Sequence, residues 1–182
     1  MQANSVSREP SFDGQLFLKA VQHGIFGKPL TEAQRAGCVA LLERSRARGA
    51  ACPRALAYAL ATATWETGGA MRPLEETVDS PWRGRGFVCA SGQDFYAKAS
   101  DLCGIDLVAE PDKLLDPNTA ADVLLAGLES GAFTGERISR FFGPDAVDWV
   151  GARRAVGDMT EAHRVAGLAR AYWVALQGSK VH

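Results

Sequence analysis

Apolar residues recur along most of the chain at intervals of three and four, the spacing that places side chains on one face of a helix. Polar residues fill the positions between them, and Gly or Pro separates one run from the next. We therefore expect seven or eight helices, over residues 15–21, 31–49, 53–66, 93–103, 119–131, 135–143, 145–157 and 160–177.

Residues typical of helix ends support several of these bounds. Thr31 is a good N-cap with a capping-box glutamine three residues later, and Pro53 suits a first helical turn. Asn118 can cap the fifth helix, and Gly24 and Gly27 are expected to stop the first. The segment 70–91 is rich in Gly and Pro and predicts a loop with a short hairpin.

Length and composition predict one globular domain. The chain has 182 residues, of which 47% are hydrophobic and 23% charged, which is enough to bury a core without dividing into domains. We expect a loose polar segment over 1–10 and the folded domain over 11–180. The formal net charge of -1 argues against a nucleic-acid-binding surface, so no nucleic acid is expected as a partner.

Membrane and export signals are not evident in the sequence. No run approaches the roughly 20 apolar residues of a membrane span, and the first residues lack the pattern of a secretory signal. We expect a monomer made in the cytoplasm, which would reach any substrate outside it through a phage holin or a secretion machine.

The four cysteines predict neither a metal site nor a disulfide framework. Cys38, Cys52, Cys89 and Cys103 show no CxxC or His-Cys spacing. We expect them to be small core residues and expect no metal or other cofactor.

The strongest candidate for chemistry is Glu66. It ends a helix rich in small residues and enters the glycine turn WETGG, and a second turn, WRGRG, follows. A carboxylic acid that borders apolar surface, beside turns that let a ligand approach the backbone, suits general acid catalysis in a cleft. The alternative is a helix-end glutamate that is solvated or paired with an arginine.

Five blocks, taken together, resemble the short bacterial and phage branch of the family 19 glycoside hydrolases, which contains chitinases and phage endolysins. The blocks lie in the family's order between about 56 and 176, and they are ALATATWETGGAMRPLEE, WRGRGFVCASGQDFY, LCGIDLVAEPDKLLDP, GLESGAFTGERISRFF and ARRAVGD. The resemblance implies a mainly α, lysozyme-like fold of the α+β superfamily with a groove between two lobes. It also implies cleavage, with inversion, of β-1,4 links between the N-acetylated sugars of peptidoglycan or another such glycan.

The family's general acid corresponds to Glu66. An inverting enzyme also needs a base, with the two carboxyl groups roughly 6.5 to 9.5 Å apart. Candidates for the base are Glu75, Glu76 and Asp79 in the loop between the glycine turns, and Glu76 is our first choice. The alternative for each is an ordinary solvated loop acid.

The same resemblance proposes residues that hold water and sugar. Ser91 matches a hydroxyl that positions the attacking water, unless it caps the helix that follows. Arg85 could bind sugar hydroxyls or fix an acid. Tyr96 and Trp82 could stack on sugar rings or belong to the core, and Trp65 stands beside the acid as a further substrate-binding candidate.

The chain departs from the family pattern at four positions near the expected groove. Trp65 replaces a histidine, Cys89 a glutamine, Phe95 an asparagine and Gly157 an asparagine. Each change removes a polar partner for sugar or water, which is worth roughly 1 to 3 kcal/mol per interaction. Two hypotheses follow: an active hydrolase, either an endolysin-like muramidase or a chitinase, and a catalytically silent relative that binds glycan or a protein partner.

Overall fold

The computed structural model describes residues 11–49, 52–143 and 146–181, so the predicted loose segment 1–10 lies outside the described residues. The described chain is mainly helical, as predicted. Its α-helices are α1 Gly14–Val21, α2 Glu32–Ala47, α3 Pro53–Glu66, α4 Gln93–Cys103, α5 Pro117–Ser130 and α6 Ala162–Gly178. Its strands are β1 Ser11–Phe12, β2 Leu74–Glu75, β3 Arg85–Gly86 and β4 Lys180–Val181. A π-helical turn covers Gln22–Phe26, and 3-10 turns cover Pro111–Leu115, Ile138–Arg140 and Gly151–Ala155.

Several predicted helix ends are confirmed. Thr31 and Gln34 form a reciprocal capping box at the start of α2. Pro53 begins α3, and α4 ends at Gly104, whose φ of 70° is the left-handed conformation that glycine adopts without strain. These ends depend only on neighbouring residues, which is why the sequence predicts them well.

One predicted helix cap is wrong. The cap of α5 is Asp116, whose carboxylate accepts a hydrogen bond from the Thr119 N–H, and not Asn118. Pro117 can then occupy the first turn, where its missing N–H is not needed. The first α-helix ends at Val21, as predicted, although Gly24 lies inside the π-helical turn that follows. Gly27, the other glycine expected to stop the segment, ends that turn with a φ of 65°.

The helices predicted over 135–143 and 145–157 are only short 3-10 turns, so the described chain has six α-helices rather than seven or eight. Phe142 pairs with Val147 in an isolated antiparallel bridge, which turns the chain back on itself where helix was expected. Ile138, Phe141 and Phe142 are nevertheless buried, as residues on the inner face of a helix would be, whereas Val147 is exposed.

Two hydrophobic clusters form the interior. The large cluster surrounds α3 and α6, which pack closely because many of their facing residues are alanine. Inside it the hydroxyls of Thr64 and Tyr172 are 2.7 Å apart and share a hydrogen bond. The small cluster lies against α4 and contains Tyr96, Ala99, Leu107, Leu114 and Val123.

Two short antiparallel sheets complete the fold. β1 pairs with β4, with Phe12 opposite Lys180, so the two ends of the described chain lie together. β2 pairs with β3, with Glu75 opposite Arg85, which confirms the predicted hairpin in the loop after α3. No helix among the described residues combines the length and apolar character needed to cross a membrane.

Candidate functional site

Glu66 is the last residue of α3 and leaves the core at that point. The nine residues before Trp65, from Leu56 to Thr64, are buried, whereas the Glu66 side chain keeps 25% of its surface exposed. The helix stops because the Thr67 hydroxyl donates to the Ala63 carbonyl and accepts from the Met71 N–H, which turns the chain. A buried helix therefore presents its final carboxylate at the protein surface.

Arg153 holds this carboxylate. Its Nη1 donates to Oε1 of Glu66 over 2.7 Å, and its Nε donates to the backbone carbonyl of Asp158 over 3.2 Å. The arginine lies in the 3-10 turn Gly151–Ala155, which Asp148 caps by accepting a hydrogen bond from the Gly151 N–H. Oε2 of Glu66 accepts no hydrogen bond from the described residues, so it is available to a ligand.

A groove of about 550 Å³ opens beside this ion pair. It combines the end of α3, the loop before α4, one face of α4 and the region around Arg153. Its lining includes five charged residues and one serine, namely Glu66, Ser91, Asp94, Lys98, Arg153 and Asp158. The rest is apolar or lacks a side chain: Val88, Ala90, Phe95, Ala132, Phe133, Val156 and Gly157.

Ser91 therefore lies in the same groove as Glu66, and it does not cap a helix. The N-cap position of α4 is Gly92, and no side chain makes a hydrogen bond there. Ser91 is exposed, so its hydroxyl is open to solvent in the groove. The alternative reading as a helix cap is thus removed.

Glu76 does not line the groove, although it is close to it. Its Oε2 accepts a 2.7 Å hydrogen bond from the Gly84 N–H across the hairpin. Burial raises the pKa of the Cys89 thiol, and the negative charges of Glu76 and then Glu66 raise it further. Both carboxylates are thus near enough to Cys89 for their charges to act on it.

The other two candidate bases differ in their surroundings. Glu75 accepts hydrogen bonds from Arg83 over 2.8 Å and from Arg85 over 3.1 Å. The bond from Arg83, together with the charges of both arginines, lowers the pKa of Glu75. Asp79 is exposed in the loop. The carboxylate of Glu75 is therefore held within the hairpin by two arginines.

The structure does not bring Trp65, Arg85 or Tyr96 into the groove. Arg85 is 2% exposed and pairs with Glu75 and Asp112. Tyr96 is fully buried, accepts a hydrogen bond from Arg85 and donates one to the Arg83 carbonyl. Trp65 is half-buried against the large cluster. Arg85 fixes an acid, which is one of the two roles considered for it, and Tyr96 belongs to the small cluster. Trp82 also packs against that cluster.

Four charged groove residues escaped prediction from the sequence: Asp94, Lys98, Arg153 and Asp158. Arg153 and Arg154 are neighbours in the sequence, and burial distinguishes them. Arg153 is 9% exposed, whereas Arg154 is classed as exposed. Asp158 accepts a hydrogen bond from the Thr160 N–H, which lowers the pKa of its carboxyl. Asp94, Arg153 and Asp158 lie within the blocks of the family resemblance and Lys98 outside them, but nothing in those blocks distinguished any of the four as a groove residue.

An aromatic pair forms part of the apolar lining. Phe95 and Phe133 stack with ring centroids 5.9 Å apart and an interplanar angle of 24°. The Phe133 ring also contacts Gly127 of α5 where a β-carbon would otherwise stand. At Gly157 an added β-carbon would meet no other atom within 4 Å, so the groove is open there.

Among the described residues, no group of three or more His, Cys, Asp and Glu side chains is placed to hold a metal ion. All four cysteines are free thiols. Comparison of the chain with protein-family models, curated protein sequences and solved structures found no match.

Proposed function

We propose that this protein is a glycoside hydrolase of lysozyme-like fold that cleaves the β-1,4 links of peptidoglycan with inversion, as an endolysin-like muramidase does. The observation that carries the proposal is the position of Glu66, which ends a buried helix and opens on a groove of about 550 Å³ that also contains Ser91. A carboxyl group and a hydroxyl in one groove are two of the parts that inverting hydrolysis of a sugar needs.

Glu66 is the general acid of this proposal. Arg153 fixes Oε1, so the orientation of the carboxyl group is set before a ligand arrives. Oε2 has no hydrogen-bond partner among the described residues, so no other group occupies it when the glycosidic oxygen of a substrate approaches. In the reaction, the proton on Oε2 passes to the leaving oxygen as the bond to the anomeric carbon breaks.

Glu76 remains our first choice for the base. The negative charges of Glu76 and Glu66 both raise the pKa of the Cys89 thiol, which supports two carboxylates in the neighbourhood of that residue. Ser91 would hold the attacking water by accepting a hydrogen bond from it or by donating one to its oxygen. Asp94 and Asp158 are the alternatives, because they line the groove directly.

The aromatic pair supports a sugar as the ligand. Phe95 and Phe133 give one wall of the groove an apolar surface, while charged residues supply the hydrogen-bonding groups of the other walls. Sugar rings have apolar faces and polar edges, so a site of mixed character suits them. A protein made in the cytoplasm would reach the wall through a holin or a secretion machine.

The test compares substrates and candidate bases in one assay. Purified protein is incubated with peptidoglycan and separately with chitin oligomers, new reducing ends are counted, and proton NMR identifies the first anomer released. We expect peptidoglycan to be cut with inversion. Release confined to chitin would make the protein a chitinase, and a retained anomer would contradict the proposed mechanism.

The base is found with Glu76→Gln, Asp79→Asn, Asp94→Asn and Asp158→Asn, and Asp101→Asn serves as the control because Asp101 is exposed on α4 and does not line the groove. Loss of the base should slow turnover by roughly 10² to 10⁴-fold. We expect that loss for Glu76→Gln alone. A large loss for Asp94→Asn or Asp158→Asn, with Glu76→Gln active, would transfer the role to that residue.

A glycan-binding or partner-binding protein without catalysis is the second candidate. The observation that favours it is the ion pair between Glu66 and Arg153, since a salt-bridged carboxylate also serves to rigidify a binding site. The apolar residue Phe95 and the open space at Gly157 fit the same reading. Peptidoglycan binding without any new reducing ends between pH 4 and 9 would establish it.

A further inference from the structure

Glu76 and Gly84 are bonded to each other twice across the hairpin. The Glu76 N–H donates to the Gly84 carbonyl over 2.9 Å, and the Gly84 N–H donates to Oε2 of Glu76 over 2.7 Å. Gly84 is buried, whereas Glu76 is exposed. A buried backbone N–H therefore holds one oxygen of an exposed carboxylate, while Oε1 accepts no hydrogen bond from the described residues.

Glycine is needed at position 84 for space and not for its backbone conformation. Gly84 does not have the positive φ that favours glycine over other residues. A β-carbon there, however, would lie 2.7 Å from the carboxyl carbon of Glu76, 2.9 Å from its Oε2 and closer still to the carbonyl oxygen of Cys89. Any side chain at position 84 would therefore displace either the Glu76 carboxylate or the backbone at Cys89.

The backbone at Cys89 is the less mobile of these two neighbours. Cys89 has a φ of 50°, a left-handed conformation that is strained for a residue other than glycine and persists only where the surrounding structure holds it. Arg85 pairs with Ala90 in an isolated antiparallel bridge, which ties the residue after Gly84 to the residue after Cys89. A side chain at position 84 would thus push mainly against the Glu76 carboxylate.

The place where Glu76 is held adjoins the groove. The two neighbours of the strained cysteine, Val88 and Ala90, both line the groove. Glu75 precedes Glu76 directly, and its carboxylate is bound by two arginines of the hairpin instead. Successive side chains of an extended chain point to opposite sides, so only one of these two glutamates reaches the Gly84 N–H.

We propose that Gly84 is a positioning residue for the base. Its N–H fixes Oε2 of Glu76, its missing side chain leaves room for the carboxylate, and Oε1 stays available to the attacking water. In the reaction, water gives a proton to Oε1 as its oxygen bonds to the anomeric carbon, and the leaving oxygen takes the proton of Glu66. This inference rests on the proposed function and adds to it a residue that acts through its backbone alone.

The hydrogen bond itself is tested without turnover. Proton–nitrogen NMR follows the Gly84 amide over the pH range in which glutamate carboxyl groups titrate. Because the amide donates to Oε2, its chemical shift should follow the ionisation of Glu76, and Glu76→Gln should remove that titration. A titration of the Gly84 amide that is the same in the wild-type protein and in Glu76→Gln would overturn the proposal. This measurement needs no variant at position 84.

The positioning role is tested with Gly84→Ala, whose fold is checked by circular dichroism. We expect the kcat for peptidoglycan to fall roughly 10²-fold with KM unchanged, because a displacement of about 1 Å costs a catalytic group that much. Adding Glu76→Gln to Gly84→Ala should slow turnover little further, since the base is already displaced. Two losses that multiply would indicate a general structural defect and overturn the proposal.

Gly127→Ala is the matched control, because its β-carbon also collides with a neighbouring group, the Phe133 ring, but lies outside the hairpin. We expect it to lower the Tm and to leave the titration of the Gly84 amide as it is in the wild type. Glu76→Gln should keep its full loss of turnover when it is combined with Gly127→Ala.

The inference and the proposed function can fail separately. A wild-type protein that cleaves no glycan, but whose Gly84 amide follows Glu76 and ceases to do so in Gly84→Ala, would refute the enzyme and leave Gly84 as the residue that positions Glu76. An active protein in which folded Gly84→Ala keeps the wild-type kcat would overturn the inference and leave the enzyme.

Discussion

Arg153 donates a 2.7 Å hydrogen bond to Glu66, and the two residues are 87 positions apart in the chain. The bond joins the end of α3 to the 3-10 turn before α6, so it closes the back of the groove. The Glu66 side chain is only 25% exposed and the Arg153 side chain only 11%. Partly buried charge pairs are screened by salt less than surface pairs. This pair therefore determines how the Glu66 carboxyl group is oriented in the site.

Replacing Arg153 by Gln should abolish most of the activity while the fold survives. The carboxyl group of Glu66 would lose the bond that fixes Oε1, and a poorly oriented catalytic group loses roughly 10²-fold in rate. The rate of peptidoglycan cleavage measures the effect. Arg154→Gln is the matched control, because Arg154 is the exposed neighbour and does not line the groove. Equal activity in the two variants would show that hydrolysis does not depend on the ion pair between Arg153 and Glu66.

Gly127→Ala should destabilise the protein, although Ala is a better helix former than Gly. The added β-carbon would collide with the Phe133 ring, and overpacking of this kind costs roughly 1 to 3 kcal/mol. At Gly167 of α6 nothing lies within 4 Å of an added β-carbon, so Gly167→Ala should raise the unfolding free energy by about 1 kcal/mol. Denaturant unfolding measures both. Stabilisation by Gly127→Ala would show that Phe133 does not pack there.

Thr31→Ala should lower the free energy of unfolding by about 1 kcal/mol. The Thr31 hydroxyl accepts from the Gln34 N–H, whereas the Gln34 side chain accepts from the backbone N–H of Thr31, so the substitution breaks the hydroxyl half of the capping box and leaves the other half. Urea unfolding monitored by circular dichroism gives the value. Thr77→Ala, in the exposed loop, is the control and should have little effect.

Glu75 makes stability depend on pH. Arg83 and Arg85 lower the pKa of its carboxyl below the ordinary value of 4.5 in the folded state, so the unfolded chain binds the proton more readily. Its contribution is present above pH 4.5 and is lost as the pH falls through the lower folded value. Glu75→Gln should therefore flatten the decline of the Tm below pH 4.5. An identical decline in the variant and the wild-type protein would show that the two arginines do not act on Glu75.

Much of the fold was predictable because local residues determine it. Thr31, Pro53 and Gly104 mark helix ends through their own backbone and side-chain chemistry. The region from 135 to 157 was not predictable in this way, because most of its apolar residues are buried without a helix and the chain reverses where Phe142 pairs with Val147. Apolar spacing alone cannot distinguish that arrangement from a helix.

The site residues show the same contrast between local and distant determinants. Glu66 and Ser91 lie beside sequence signals that a single segment carries, namely a glycine turn and the start of a helix, and both line the groove. Arg153 became visible only when the fold brought it to Glu66. Arg85 and Tyr96 have residue types suited to sugar binding, but the small cluster and the hairpin bury them. Residue type alone does not reveal burial.

The central claim is that Glu66 donates a proton to a sugar in the groove, and Glu66→Gln tests it most directly. Glutamine keeps the shape of the side chain and can still accept the hydrogen bond from Arg153, but it has no acidic proton to give. The account predicts that wild-type protein releases new reducing ends from peptidoglycan and that Glu66→Gln reduces that release by at least roughly 10²-fold while its Tm stays close to that of the wild type. A folded Glu66→Gln variant that cleaves peptidoglycan at the wild-type rate would contradict it.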